Sequence, residues 1–186
     1  MKQGFVKVAS ATPRIRVADP VYNAQVICEQ AKEAAEHGAK IVVFPELCIT
    51  GYTCNDLFLQ ELLLEKAKEA LLTIAEETGQ LETLFLVGLP VDKDGRLYNV
   101  AAVLYRGRIL GMIPKKNIPM YAEFYEGRHF TPGEETVTEY RLGKQEIPFG
   151  TNLLFRCEEL PELILGCELC EDLWVAEPPS TSHALM

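Results

Sequence analysis

At 186 residues, 48% hydrophobic and 24% charged, the chain has the composition of a soluble globular protein long enough for its own core, which excludes wholesale disorder and any need for a disulfide or metal scaffold. Its 18 basic and 27 acidic side chains leave a net charge of -9, which sets nucleic acid and anionic membranes aside as partners and keeps small neutral or zwitterionic ligands open. The sequence holds neither a run of ~20 apolar residues nor a basic-then-apolar leader, and its six cysteines sit in apolar, strand-like stretches, so a reduced, cytoplasmic protein is expected.

Residues 4–10 (GFVKVAS) alternate apolar and polar positions, which predicts a strand. Asp19 before Pro20 predicts a capped helix start. Val21, Ala24, Cys28, Ala31 and Ala35 continue it at steps of three and four, and Gly38 stops it, with His37 complementing the helix dipole. Residues 41–44 (IVVF) suit a central strand covered on both faces. Leu64, Ala67, Leu71 and Ile74 mark a second helix that closes near Gly79. Three strands follow at 84–89, 97–105 and 109–113, joined by the turns at 92–95 and 106–108. The stretch 114–133 loses periodicity and gathers aromatic and charged side chains, which marks a functional loop. Weaker strands are expected at 137–142 and 152–156, and a strong one at 163–167, followed by a turn at 170–174 and a Pro-Ser-Thr loop without a helix. This order predicts a layered α/β domain with helices on a mixed sheet.

Three of the apolar runs end just before a reactive side chain: 41–44 before Glu46, 109–113 before Lys115, and 163–167 before Cys170. Ligands of open α/β sheets collect at strand carboxyl ends, so a carboxylate, an amine and a thiol are expected in one crevice. The set is chemically coherent. A carboxylate can take the thiol proton, and an ammonium can stabilise negative charge growing on an attacked carbonyl oxygen. Acyl transfer through a thioester is the implied reaction.

Residues 44–52 (FPELCITGY), Pro114-Lys115 and residues 170–174 (CEDLW) resemble the signature segments of the nitrilase (carbon-nitrogen hydrolase) superfamily. Residues 118–130 (IPMYAEFYEGRHF) are similar to the loop after the lysine in the glutaminase domains of glutamine-dependent NAD synthetases. The resemblance implies a nitrilase-like α-β-β-α sandwich, with residues 1–186 an N-terminal glutaminase domain that lacks its last strands and helices, and with the synthetase domain absent. It places the general base on Glu46, the lysine on Lys115 and the nucleophile on Cys170. Glu123 matches an additional acid expected to position Lys115 or Glu46, while Tyr121 and Glu171 match positions that contact the substrate glutamine. The implied activity is hydrolysis of the L-glutamine side-chain amide, with ammonia passed to the synthetase domain. No cofactor or metal is implied for that step, ATP and Mg belong to the absent domain, and the full enzyme is expected to be a homo-oligomer.

Other readings stay open. One is a stand-alone amidase of the same superfamily acting on another small amide, and another is an inactive fragment or association module. Cys167 and Cys170 form a C-x-x-C, but no second ligand pair is present for a structural zinc site. The three histidines are widely separated, and His129 is read as structural.

Overall fold

A computed structural model describes residues 4–186. Local rules account for most of its elements. The Asp19 side chain accepts the backbone N–H of Tyr22 at 3.1 Å, Pro20 opens the first turn, and α1 runs over Pro20–Glu36. Gly38 follows with φ +82°, the left-handed conformation that ends a helix at little cost for glycine. Leu63, Ala67, Ala70, Leu71, Ile74 and Ala75 form the buried stripe of α2, Glu61–Glu77.

Among the described residues seven strands make one mixed sheet: β1 (Val8–Ser10), β2 (Ile41–Val43), β3 (Leu84–Lys93), β4 (Arg96–Tyr105), β5 (Arg108–Pro114), β6 (Thr138–Leu142) and β7 (Gln145–Phe149), in the order β1-β2-β3-β4-β5-β7-β6. The first three pair in parallel, and β3, β4 and β5 run antiparallel through the turns Asp94-Gly95 and Arg106-Gly107. All four turn residues have positive φ, as tight hairpins require. Side chains alternate across the sheet. Phe85, Val87, Leu89, Val100, Ala102 and Leu104 meet the stripes of α1 and α2, whereas Leu86, Ala101 and Val103 face the other way with Ile41 and Ile113.

That second face explains the main departures from expectation. The strong strand expected at 163–167 is only β9 (Ile164–Leu165), paired with β8 (Phe155–Arg156) in a separate two-stranded sheet. Leu153, Phe155, Leu165 and Cys167 spend their apolar surface covering Ile41, Leu86, Ala101, Val103 and Ile113 instead of joining the main ladder. Contact is close enough that a Cβ on Gly111 of β5 would meet Phe155 Cζ at 2.9 Å. Two further elements escaped the sequence pattern: β7, whose Pro148 argues against a strand, and the short helix α3 (Pro179–Ala184). The first strand is also shorter than the 4–10 pattern suggests.

Candidate active site

The site begins where β2 leaves the sheet. The Phe44 N–H still donates to the Leu86 carbonyl at 2.9 Å, then residues 45–51 fold into a turn in which Leu47 takes φ +53°. The turn lies directly on β3. A Cβ on Gly88 would fall 2.4 Å from Leu47 N and 2.7 Å from the Pro45 carbonyl oxygen, so only glycine lets the Glu46 turn settle this deeply.

Lys115 follows β5 and is fully buried. Its N–H donates to the Asn99 carbonyl and its own carbonyl accepts from Gly133, each at 2.8 Å, which fixes the backbone. The ammonium lies between two carboxylates, 2.8 Å from Glu46 Oε1 and 2.8 and 2.9 Å from the oxygens of Glu126. Tyr52 OH donates to Glu126 Oε1 at 2.8 Å, and Asn99 Nδ2 donates to Glu46 Oε1 at 2.6 Å. Burial pulls the Lys115 pKa down, but the bonds to Glu126 and Glu46 outweigh it and leave the pKa above the ordinary lysine value, so the group is an ammonium. Burial and the Glu126 bond push the Tyr52 phenol up. Arg128 clamps the turn carrying Glu126 to Asp56 through bonds of 2.7 and 3.0 Å.

Cys170 opens a short 3-10 turn, Cys170–Leu173, with φ +45°, a conformation side-chain-bearing residues seldom adopt. One buried carboxylate holds the turn in place. Asp172 accepts the N–H of Leu169 at 3.1 Å, of Lys116 at 3.3 Å and of Asn117 at 2.7 Å, and the Asn117 side-chain amide at 2.9 Å. The nucleophile turn is thereby tied to the residues that follow Lys115. Partial burial raises the Cys170 thiol, and the Glu46 carboxylate raises it further against the opposing Lys115 charge, so the resting group is a thiol. At the rim, Tyr121 OH donates to Glu171 Oε2 at 2.7 Å.

Glu46 and Lys115 therefore bond directly, Cys170 lies near enough for both charges to act on its thiol, and Tyr121 joins Glu171. Glu123 does not take the expected place. It is exposed and bonded to neither Lys115 nor Glu46, because the 3-10 turn Glu126–Arg128 turns Glu126 inward, 5% exposed, while residue 123 stays outside. No sequence signal separates the two acids, which both lie among aromatic residues. Asn99 and Gly88 lie in strand patterns, and Tyr52 and Asp172 inside signature segments, so the sequence assigns none of them a role of its own. Cys167 packs against the sheet, its thiol pushed by burial to about 12, while Cys170 is exposed, so the two thiols of the C-x-x-C lie in different environments. The groove of about 430 Å³ between α1 and α2 contains none of these residues.

A family model described as carbon-nitrogen hydrolase matches residues 7–183. The glutamine-dependent NAD(+) synthetase of Mycobacterium tuberculosis is 40% identical over 184 residues, 99% of this chain and 27% of that protein. That of Thermotoga maritima is 32% identical over 185 residues. The chain thus spans about a quarter of the length of these relatives. Among solved structures, a glutamine-dependent NAD(+) synthetase from Cytophaga hutchinsonii superposes with a TM-score of 0.82 at 29% identity, over 89% of this chain and 28% of the other. An amidase from Nesterenkonia sp. shares the fold at 24% identity and a TM-score of 0.58, over 77% of this chain and 54% of the other.

Proposed function

We propose that this chain, which belongs to the carbon-nitrogen hydrolase family, hydrolyses the side-chain amide of L-glutamine through a thioester on Cys170 and releases ammonia for NAD synthesis. The observation that carries the reading is the Glu46–Lys115 pair at 2.8 Å beside a thiol on which both charges act. Glu46 takes the thiol proton as Cys170 Sγ bonds to the amide carbon. The carbonyl oxygen becomes an oxyanion, stabilised by the Lys115 ammonium and the backbone N–H after the nucleophile. The intermediate collapses, the C–N bond breaks, and the proton on Glu46 passes to the departing nitrogen, which leaves as ammonia. Water then gives its proton to Glu46 and its oxygen to the thioester carbon. Collapse of this second intermediate releases glutamate, and Sγ regains its proton from Glu46. None of these steps uses a cofactor.

The half-buried Glu171 carboxylate, oriented by Tyr121, supplies a negative group where the substrate's α-ammonium can dock. Ammonia would serve a synthetase domain of the kind named in the relatives, and ATP and Mg would act there, in an assembly of several copies. Among the described residues no helix is long and apolar enough to cross a membrane.

Labelling with a glutamine-shaped diazoketone tests the reading. Preferential modification of Cys170 among the six thiols supports it, as does its loss in Glu46→Gln. Even labelling of all cysteines, or none at Cys170, refutes it.

A further inference from the structure

Glu46 has two carboxylate oxygens, and both of its bonds from neighbouring donors fall on one of them. Oε1 accepts from Lys115 Nζ at 2.8 Å and from Asn99 Nδ2 at 2.6 Å, the shorter of the two. Asn99 itself lies in β4, fully buried, and its backbone carbonyl accepts the Lys115 N–H at 2.8 Å. One residue therefore bonds both members of the acid–amine pair. Among the described residues its buried side-chain oxygen has no hydrogen-bond partner, an arrangement that disfavours the folded state and that an apolar residue in the same strand would avoid. A polar side chain kept under that penalty points to a role beyond packing.

We infer that Asn99 is a positioning residue for Glu46: its amide donates to Oε1, orients the carboxylate and reserves Oε2 for the proton that moves. The inference rests on the amide hydrolysis proposed above. An amide suits the task because it donates without bringing a charge or an acidic proton. The other groups facing the carboxylate are all ionisable: Lys115 from the end of β5 with Glu126 behind it, Tyr52 from the turn after Glu46, and Cys170. A second carboxylate at position 99 would have to share a proton with Glu46, as carboxylates in contact do. Glu46 would then act as a base only once that shared proton had left, at higher pH.

The test uses the intact protein. In Asn99→Asp, close in size to the native residue, the acidic limb of the pH profile for ammonia release from glutamine is expected to move upward by at least about one unit. In Asn99→Ala, kcat is expected to fall at least about tenfold with KM within about twofold, because the lost group orients a base and touches no substrate. An unmoved limb in the aspartate variant, or an equal loss in KM and kcat in the alanine variant, overturns the inference. Should either variant fail to fold, the wild-type protein still decides. The side-chain amide resonances of Asn99 should move with pH through the same midpoint as the acidic limb, and resonances flat across it also overturn the inference. A wild-type protein that releases no ammonia from glutamine fails the proposed function instead, a result distinct from an active enzyme insensitive to Asn99.

Discussion

Replacing Glu126 by Gln while replacing Glu123 by Gln in a parallel variant separates a buried acid from an exposed one at equal change in net charge. Glu126 receives two bonds from Lys115, at 2.8 and 2.9 Å, and one from Tyr52 at 2.8 Å. In the glutamine variant one oxygen becomes an NH2 group that cannot accept, so a donor faces a donor in a site that excludes water. Breaking a buried ion pair costs about 3–5 kcal/mol. Because Glu46 still holds the ammonium, the lower end, about 3 kcal/mol, is expected. For a chain of this length that is a fall in Tm of about 6–12 °C. Glu123→Gln should stay within about 0.5 kcal/mol of wild type, as exposed substitutions do. Urea denaturation followed by tyrosine and tryptophan fluorescence reads both. Losses equal within error would refute the claim that Glu126 closes the charge cluster.

Three further outcomes are expected. Alkylation of Cys170 by a small neutral electrophile should rise with pH through a midpoint above that of a free thiol, lower in Glu46→Gln and higher still in Lys115→Met, because the carboxylate raises the thiol and the ammonium opposes it; mass spectrometry of the labelled peptide checks this. Gly88→Ala should destabilise the fold by at least about 1–3 kcal/mol, since its Cβ would sit 2.4 Å from Leu47 N, and should slow diazoketone labelling at Cys170 as the Glu46 turn lifts. In Asp172→Asn one accepting oxygen is lost, at a cost of about 1–3 kcal/mol, and hydrogen exchange in residues 169–173 should quicken before that of β4.

Most of the frame was legible because its rules are local. The Asp19-Pro20 cap, the stripe of Ala67, Leu71 and Ile74 and the Asp94-Gly95 turn are each set by residues a few positions apart, and the structure places them where the pattern does, although Leu63 and not Leu64 is the buried leucine that opens the stripe. Residues 163–167 misled because a short apolar run is the same signal whether it joins a ladder or lies across a sheet face. Only the partners, from Ile41 to Ile113, decide, and they are at least 50 positions away. The same limit applied at the site. Glu46, Lys115 and Cys170 stand out as reactive types at strand ends, whereas the groups that hold them act through long-range bonds: Asn99 reaches Glu46 across 53 positions, Tyr52 reaches Glu126 across 74, and Asp172 reaches Asn117 across 55.

On the proposed chemistry, the charge balance of the cluster distributes the roles. Lys115 is the cation, held by two carboxylates and with its pKa raised, so it cannot serve as the base in a neutral solution. Tyr52, pushed up by burial and by Glu126, is likewise unavailable as an acceptor. Glu126 has both oxygens engaged by the Lys115 ammonium, one of them also by Tyr52. Of the two carboxylates that hold Lys115, only Glu46 has an oxygen outside the bonded network, and it is also the carboxylate whose charge most raises the thiol. Those two properties belong together. A base that disfavours a standing thiolate keeps the nucleophile protonated and unreactive at rest, then accepts its proton as the sulfur bonds to the amide carbon and the oxyanion forms beside Lys115.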